Sequence, residues 1–486
     1  MLDSDDKLHE ECGVFGVSGV TDEAAAHTAL GLHALQHRGQ EAAGIISYDG
    51  KQFFAHRALG LVGDNFSKQS VIEKLKGNIA IGHNRYSTSG EPHLRNVQPL
   101  FAELSCGGLG LAHNGNLTNA YSLREELIKE GAIFQSTSDT EVIVHLVARS
   151  TANTVAGRVT EAIKQIKGAY SLIALSREGM IGVRDPHGVR PLILGKLGEA
   201  IILASESCAL DIIGAKAIRD IEPGEMVVIH EGEVQSYRPF DTAESSKTPS
   251  RFCIFEYVYF ARPDSIVDGK SVYHARKNIG AELAKESPIE ADIIVPVPDS
   301  GVPAALGYSQ EAELPFELGI IRNHYVGRTF IEPTDQVRHL GVKLKHNANA
   351  AVLEGKRVVL VDDSIVRGTT SKKIVTMVRE AGAAEIHMRI ASPPIAFSNH
   401  YGIDTPDREK LLAAKMSVEE MREFIGADSL AFLSVDGLYR AMGFDCRDET
   451  MPQFEDSCFT GDYPIPLVDV ENNRTGKEQA DLFKIA

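Results

Sequence analysis

The chain lacks most of what would send a protein across a membrane or onto a polymer. Nowhere in its 486 residues does an apolar run approach membrane-spanning length. The opening residues, Met1-Leu-Asp-Ser-Asp-Asp-Lys-Leu-His-Glu-Glu11, are acidic and hold no apolar stretch, so no secretory signal is expected. The six cysteines, at 12, 106, 208, 253, 446 and 458, are scattered without a CxxC pair. A disulfide framework is therefore not expected, and a reducing cytoplasm is the expected compartment. Positive charge is also short: 50 basic residues face 67 acidic ones, a net charge of −17. That argues against general nucleic-acid binding and for small-molecule chemistry at local basic sites. No internal repeat or low-complexity tract stands out.

What is present has the length for two or three domains. Residues 12 to about 240 hold short apolar strand candidates, Ile79–Gly82, Leu109–Ala112, Ser171–Ala174 and Glu225–Ile229, broken by helical stretches such as His27–Leu35. This mixture predicts a layered α+β domain. Thr242–Ser250 is small, polar and free of apolar anchors, and reads as a linker. From about 252 onward helix and strand alternate: a helix over Val272–Glu286, a strand over Asp292–Val297, another over Val358–Val361. That pattern predicts an α/β domain with a parallel sheet. Beyond about Pro464 apolar residues are few, and the tail is expected to cover the surface or fray.

The most informative segment is Arg357-Val-Val-Leu-Val-Asp-Asp-Ser-Ile-Val-Arg-Gly-Thr-Thr-Ser371. An apolar strand ends in two carboxylates, and a helix is predicted over Lys372–Ala381 with Gly382 capping it. Between them, Ser364–Ser371 brings backbone N–H groups, hydroxyls and Gly368 to a helix N-terminus, which suits a phosphate. Asp362 and Asp363 suit ribose hydroxyls and a hydrated Mg²⁺. Phosphate, sugar diol and metal within ten residues describe a phosphorylated ribose. Val295-Pro-Val-Pro-Asp-Ser-Gly-Val-Pro303 is a second strand-to-loop transition. Alone it reads equally well as a tight Pro/Gly turn; paired with the first segment, it reads as a pyrophosphate loop. Arg322–His346 carries five Arg/Lys, three histidines and two acids. A charge cluster is usually a solvated loop, but between two anion-binding loops a lid over a polyphosphate is the favoured reading.

These segments resemble the ribose-phosphate fingerprint of type I phosphoribosyltransferases. With Val295–Pro303 and Tyr325-Val-Gly-Arg-Thr-Phe330, the second half is similar to the synthetase domain of the glutamine phosphoribosylpyrophosphate amidotransferase family. The first half carries matching motifs. In Glu10-Glu-Cys-Gly-Val-Phe-Gly16 the cysteine could be a buried, inert residue opening a strand. Yet an acidic eleven-residue leader looks removable, and its loss would make Cys12 the first residue. A free α-amino group, with a pKa of about 7.7–8.0, can take the thiol proton and later protonate departing ammonia. In His113-Asn-Gly-Asn116, Asn114 and the Gly115 N–H could bind an oxyanion, each donor contributing about 3–4 kcal/mol; a hairpin turn is the commoner meaning of Asn-Gly. Arg85, in Gly82–Thr88, suits a grip on the α-carboxylate of glutamine, and Asp139, in Thr137–Glu141, suits its α-ammonium. Singly, both read as surface pairs or helix caps. Arg38, in Leu35–Glu41, is a further substrate-site candidate.

The resemblance spans residues 10 to 465. It implies an N-terminal-nucleophile αββα glutaminase domain (12–241) behind a removable leader (1–11), then a type I phosphoribosyltransferase domain (251–465) and a tail (466–486). The activity implied is amidophosphoribosyltransferase: glutamine, phosphoribosyl pyrophosphate and water give 5-phosphoribosylamine, glutamate and pyrophosphate, committing material to purine synthesis. Asp299, Ser300, Arg328, Asp362, Asp363, Ser364, Arg367, Gly368, Thr369 and Thr370 would bind phosphoribosyl pyrophosphate, with Ser300, Asp362 and Asp363 at Mg²⁺. Purine nucleotide inhibitors and a dimeric or tetrameric homo-oligomer are also implied, as is an ammonia path ordered by closure of the 322–346 lid. Leader-bearing members often carry a 4Fe–4S cluster on four cysteines. Here Cys253 and Cys458 fit two positions, but Asn399 stands at the third, within Pro393–Gly402, and Glu455-Asp-Ser-Cys458 replaces the expected CxxC. Cys446 could substitute only if its loop folded back. Since such a cluster normally needs four thiolates, none is expected. A regulator with an inert first domain would have no use for Cys12, Asn114, Arg85 and Asp139, which are all present.

Overall fold

The computed structural model describes residues 9–10, 12–21, 23–86, 93–241, 249–323 and 346–472. The first half is built on two antiparallel sheets. One has seven strands in the spatial order Lys216–Asp220, Ile193–Leu197, Ala200–Ala204, Gly13–Ser18, Ile79–Arg85, Ala42–Tyr48, Phe53–Leu59. The other has six, in the order Glu233–Tyr237, Met226–His230, Gly179–Arg184, Gly168–Ser176, Gly107–Leu117, Leu100–Leu104. Their facing sides share a core of Val14, Ile46, Ile81, Ala112, Ile173, Met180, Leu203 and Val227. Helix Ala24–Ala34 covers the outer face of the first sheet, burying Leu32 beside Phe15. Helices Thr140–Arg149 and Val155–Ile163 cover the second through Val142, Ile143, Val147 and Val159. The result is the expected four-layer αββα sandwich.

The second half holds a four-stranded parallel sheet in the order Ile293–Pro296, Arg357–Asp362, Glu385–Ile390, Ser429–Phe432. Strand Arg357–Asp362 lies inside this sheet with Val358–Val361 fully buried, which accounts for its unbroken apolar run. The predicted helix Val272–Glu286 has those bounds, with the Ser271 side chain capping its first turn. Its partner Val302–Ala312 packs so closely that a Cβ on Gly280 would lie 1.8 Å from the Ala304 carbonyl oxygen. The helix predicted from Lys372 starts earlier, at Thr369, because Gly368 (φ +77°) turns the chain directly into it. Gly382, at φ +93°, follows its end.

The halves share one apolar cluster, which runs from Phe15 and Leu32 through Phe255 and Tyr257 to Tyr401, Leu438 and Phe459. Fully buried charges cross the same boundary. Arg38 pairs with Glu206 and, at 2.6 Å, with Glu256; Arg190 pairs with Glu256 at 3.0 Å. Glu206 also accepts from Ser265 Oγ at 2.7 Å and from the Arg262 N–H at 2.9 Å. Burial pushes the Glu206 carboxyl up, but Arg38 and His37 outweigh it and hold the group well below the usual range. The described part of the tail turns back onto the first half, where Asp469 caps helix Ala120–Lys129 by accepting from the N–H groups of Tyr121 and Ser122. Most of the expected linker, 242–248, lies outside the described residues, as does 324–345 of the expected lid.

Candidate active sites

Cys12 immediately precedes strand Gly13–Ser18 and is 7% exposed, with φ +66°. Gly13 pairs with Asn84 on the neighbouring strand, so the strand end carrying Cys12 lies beside Arg85, which is 4% exposed. The Cys12 thiol is 3.9 Å from the Tyr86 carbonyl oxygen. One ring links this end of the sheet to the other sheet: His83 Nε2 sits 3.0 Å from the His113 carbonyl oxygen. Burial pushes the His83 pKa down to about 3, so the ring is neutral there.

The Asn-Gly pair is not a hairpin turn. It lies inside strand Gly107–Leu117, with Asn114 opposite Ser171 and Gly115 opposite Tyr170. Asn114 is fully buried, and neither its Oδ1 nor its Nδ2 has a hydrogen-bond partner among the described residues. A buried primary amide left unmatched costs about 1–3 kcal/mol, which is unusual unless something binds there. Gly115 has φ +137°, and a Cβ there would lie 2.1 Å from the Ala169 carbonyl oxygen, so only glycine fits.

Asp139 precedes helix Thr140–Arg149 but makes no capping hydrogen bond. Its Oδ2 instead accepts from the Leu117 N–H at 3.1 Å and lies 3.7 Å from His113 Nδ1. Burial raises its pKa, while His113 and the Leu117 N–H lower it and prevail, so Asp139 is an anion at neutral pH. Cys12, Arg85, Asn114, Gly115 and Asp139 therefore gather around one end of the sandwich. Arg38 requires a correction. Its side chain is 0% exposed and its guanidinium is committed to Glu206 and Glu256, which leaves it no surface to offer a substrate. Gln98 went unnoticed in the sequence, though it accepts from the His113 N–H at 2.8 Å and donates to Thr140 at 2.9 Å. The motif around His113 does not announce a role for its ring, whose Nδ1 lies 3.2 Å from Thr140 Oγ1 and 3.7 Å from Asp139 Oδ2.

In the second half the two loops meet. The Val297 N–H donates to the Val361 carbonyl at 2.9 Å, and a Cβ on Gly301 would lie 2.5 Å from that same oxygen. The Asp299–Ser300 turn is thus stacked against the end of strand Arg357–Asp362. Asp362 and Asp363 are each 1% exposed; Asp362 Oδ1 accepts the Asp363 N–H at 2.9 Å, and Asp363 Oδ1 accepts the Ser364 hydroxyl at 2.6 Å. Arg367 and Gly368 follow, and Thr369 and Thr370 form the first turn of the helix, the end towards which its N–H groups point. Asp299 pairs with Arg322 at the edge of the expected lid; Arg328 lies outside the described residues. Buried Arg276 was also missed. It donates to the carbonyls of Tyr257 at 2.8 Å and Ala261 at 2.7 Å; burial lowers its pKa, and Asp363 is the strongest charge acting against that. Among the described residues no three His, Cys, Asp or Glu side chains are grouped to hold a metal unaided. Two adjacent buried carboxylates nevertheless fit Mg²⁺, which commonly takes one or two protein carboxylates and completes its shell with substrate phosphates and water.

The iron–sulfur positions hold a different donor set. Cys253 is in register with Glu455; Asn399 donates to Glu455 at 3.2 Å, and the Ser457 N–H donates to it at 3.0 Å. Burial pushes the Cys253 and Cys458 thiols well above their usual pKa, which keeps them protonated, and Cys446 is exposed at the surface. Two thiols, an amide and a carboxylate do not fit a four-thiolate cluster.

The sequence matches the glutamine amidotransferase domain family over residues 83–211 and the phosphoribosyl transferase domain family over 264–391. The amidophosphoribosyltransferase of Rhizobium etli is 61% identical over 479 residues, covering 98% of this chain and 96% of its own. That of Bacillus subtilis is 50% identical over 461 residues, 95% of each. A solved structure of glutamine phosphoribosylpyrophosphate amidotransferase from B. subtilis, complexed with ADP and GMP, superposes with a TM-score of 0.88 at 48% identity, covering 94% of this chain and 98% of that one. The two sites and these likenesses agree, and the chain belongs to the amidophosphoribosyltransferase family.

Proposed function

We propose that the chain makes 5-phosphoribosylamine by releasing ammonia from glutamine at Cys12 and adding it to phosphoribosyl pyrophosphate in the second half. The observation that carries the first step is the buried, unmatched Asn114 amide beside Gly115, at the same end of the sandwich as Cys12. Removal of residues 1–11 frees the Cys12 α-amino group, which takes the thiol proton. The thiolate attacks the amide carbon of glutamine, and Asn114 Nδ2 and the Gly115 N–H stabilise the oxyanion. The protonated amine then gives its proton to the leaving ammonia, and water hydrolyses the thioester to glutamate. Arg85 holds the α-carboxylate and anionic Asp139 the α-ammonium. Arg38, committed to Glu206 and Glu256, acts by tying the first half to the second rather than by touching substrate.

In the second half, ammonia attacks ribose C1 as pyrophosphate departs. Ser364, Arg367, Gly368, Thr369 and Thr370 cradle the 5-phosphate; Asp299, Ser300 and Arg328 bind the pyrophosphate; Asp362 and Asp363 bind the ribose diol. Ser300, Asp362 and Asp363 would hold Mg²⁺, which when bound neutralises the departing pyrophosphate. The reading extends to inhibition by purine nucleotides, supported by the ADP and GMP in the B. subtilis structure, and to a dimeric or tetrameric assembly in the cytoplasm. No helix among the described residues is long and apolar enough to cross a membrane.

Four measurements test this. Mass spectrometry of active protein should give Cys12 as the first residue; an intact Met1 with full glutaminase activity refutes processing. Cys12→Ala should abolish glutamine use and leave ammonium-driven synthesis intact, whereas loss of both would mean the two chemistries are not separable. Asp362→Asn with Asp363→Asn should cut synthesis by about a hundredfold or more with either nitrogen source, because several kcal/mol of charge stabilisation is removed; unchanged kinetics would sink the assignment. Anaerobically purified protein should contain no stoichiometric iron or sulfide, and about four irons per chain would overturn the cluster-free reading.

A further inference from the structure

The oxyanion strand is held from outside its own domain. Asn116, two residues beyond Asn114, donates from Nδ2 to the His400 carbonyl oxygen at 2.9 Å. His400 belongs to the second half, in the loop that follows strand Glu385–Ile390. The next residue, Tyr401, offers its carbonyl to Arg190 Nε at 3.0 Å. After it comes Gly402 (φ +114°), which lies so close that a Cβ there would be 3.2 Å from the Gly115 Cα and 3.0 Å from Arg190 Nε. His400 and Gly402 of the second half thus meet Asn116 and Gly115, and Tyr401 between them is held by Arg190.

The loop has little freedom of its own. Asn399 Oδ1 accepts the Tyr401 N–H at 2.8 Å while Asn399 Nδ2 donates to Glu455 at 3.2 Å, and the Tyr401 hydroxyl donates to the Ile465 carbonyl at 2.6 Å. Arg190, which grips Tyr401, is fully buried and paired with Glu256. The strand pair His9–Glu10 against Ile403–Asp404 is lost with the leader, so in the processed enzyme the loop is held by the bonds of Asn399, Tyr401 and Arg190. The loop is therefore a rigid wall behind the oxyanion donors.

From this geometry we infer that Asn116 is a positioning residue for the glutaminase reaction, and that the 399–402 loop of the second half sets where the Gly115 N–H points. The inference rests on the oxyanion role assigned to Asn114 and Gly115. A donor must lie within a few tenths of an ångström of the developing oxyanion, a stage at which Asn116 touches neither substrate nor reacting atoms. Loosening its tie to His400 weakens transition-state binding and leaves the grip of Arg85 and Asp139 on ground-state glutamine untouched. The effect falls on kcat and spares KM.

The test compares Asn116→Ala, Asn116→Asp, Gly402→Ala and Asn114→Ala in the full processed enzyme, with glutaminase kcat, glutamine KM and ammonium-driven synthesis measured for each. Asn116→Ala should lower glutaminase kcat about tenfold, short of the hundredfold or more expected when a donor itself is deleted. Asn116→Asp keeps the size but loses the donor, so it should do no better than alanine; a packing role predicts near-normal activity for it. Gly402→Ala pushes on Gly115 from the other half and should also lower glutaminase kcat. In all three, glutamine KM and ammonium-driven synthesis should hold. Equal losses of both activities in the Asn116 variants, or an unchanged kcat in them while Asn114→Ala is impaired, would overturn the positioning role alone. Full activity in Asn114→Ala would remove the oxyanion assignment and this inference with it.

Discussion

Glu256 is the pivot of the molecule. It is fully buried and takes Arg38 on Oε2 and Arg190 on Oε1, both from the first half. A charge in that position is tolerable only while its partners stay; removing one partner of a buried pair typically costs about 3–5 kcal/mol. The same two arginines reach further. Arg38 bonds Glu206, which receives Arg262 and Ser265, and Arg190 grips the Tyr401 carbonyl. The two halves therefore cannot slide or separate without stranding several charges in an apolar surround. The shared cluster around Phe255 and Tyr401 adds burial but no direction, whereas these bonds fix the register between the halves.

That fixed register gives meaning to the unusual burial at each site. The Asn114 amide and the paired Asp362–Asp363 carboxylates are polar groups kept nearly or wholly from water. Such groups reduce stability in the absence of ligand, and the surrounding structure has to over-determine them. In the first half this is done by a glycine that admits no Cβ and by the rings of His83 and His113. In the second half it is done by the stacking of the Asp299–Ser300 turn on the Val361 carbonyl, so that the carboxyl ends of two adjacent strands present both loops.

What could be read from the sequence was what local chemistry dictates. The helix Val272–Glu286 and the strand ending at Asp362 follow from capping, apolar runs and glycine placement, and both were legible. The motif around Asn114 was legible as chemistry but ambiguous as structure, since Asn-Gly more often turns a hairpin than continues a strand. Arg38 was legible only as an arginine near a substrate motif. Its partner Glu256 is 218 residues away, and nothing in the local pattern says that a guanidinium will be spent there. The bond from Asn116 to His400 spans 284 residues and ends on a backbone carbonyl, which leaves no side-chain signature at its far end. Contacts of that kind are invisible to any reading of spacing.

The donor set at the iron–sulfur positions fits the same logic. A cluster would tie Cys253, residue 399, residue 455 and Cys458 together by covalent ligation. Here Asn399 and Glu455 are joined by a hydrogen bond, Ser457 takes the other carboxylate oxygen, and the two thiols stay neutral in the apolar interior. The job left to this knot is mechanical, because Asn399 also receives the Tyr401 N–H and so holds the loop that backs Gly115. A hydrogen-bonded amide and carboxylate can hold that position without covalent ligation.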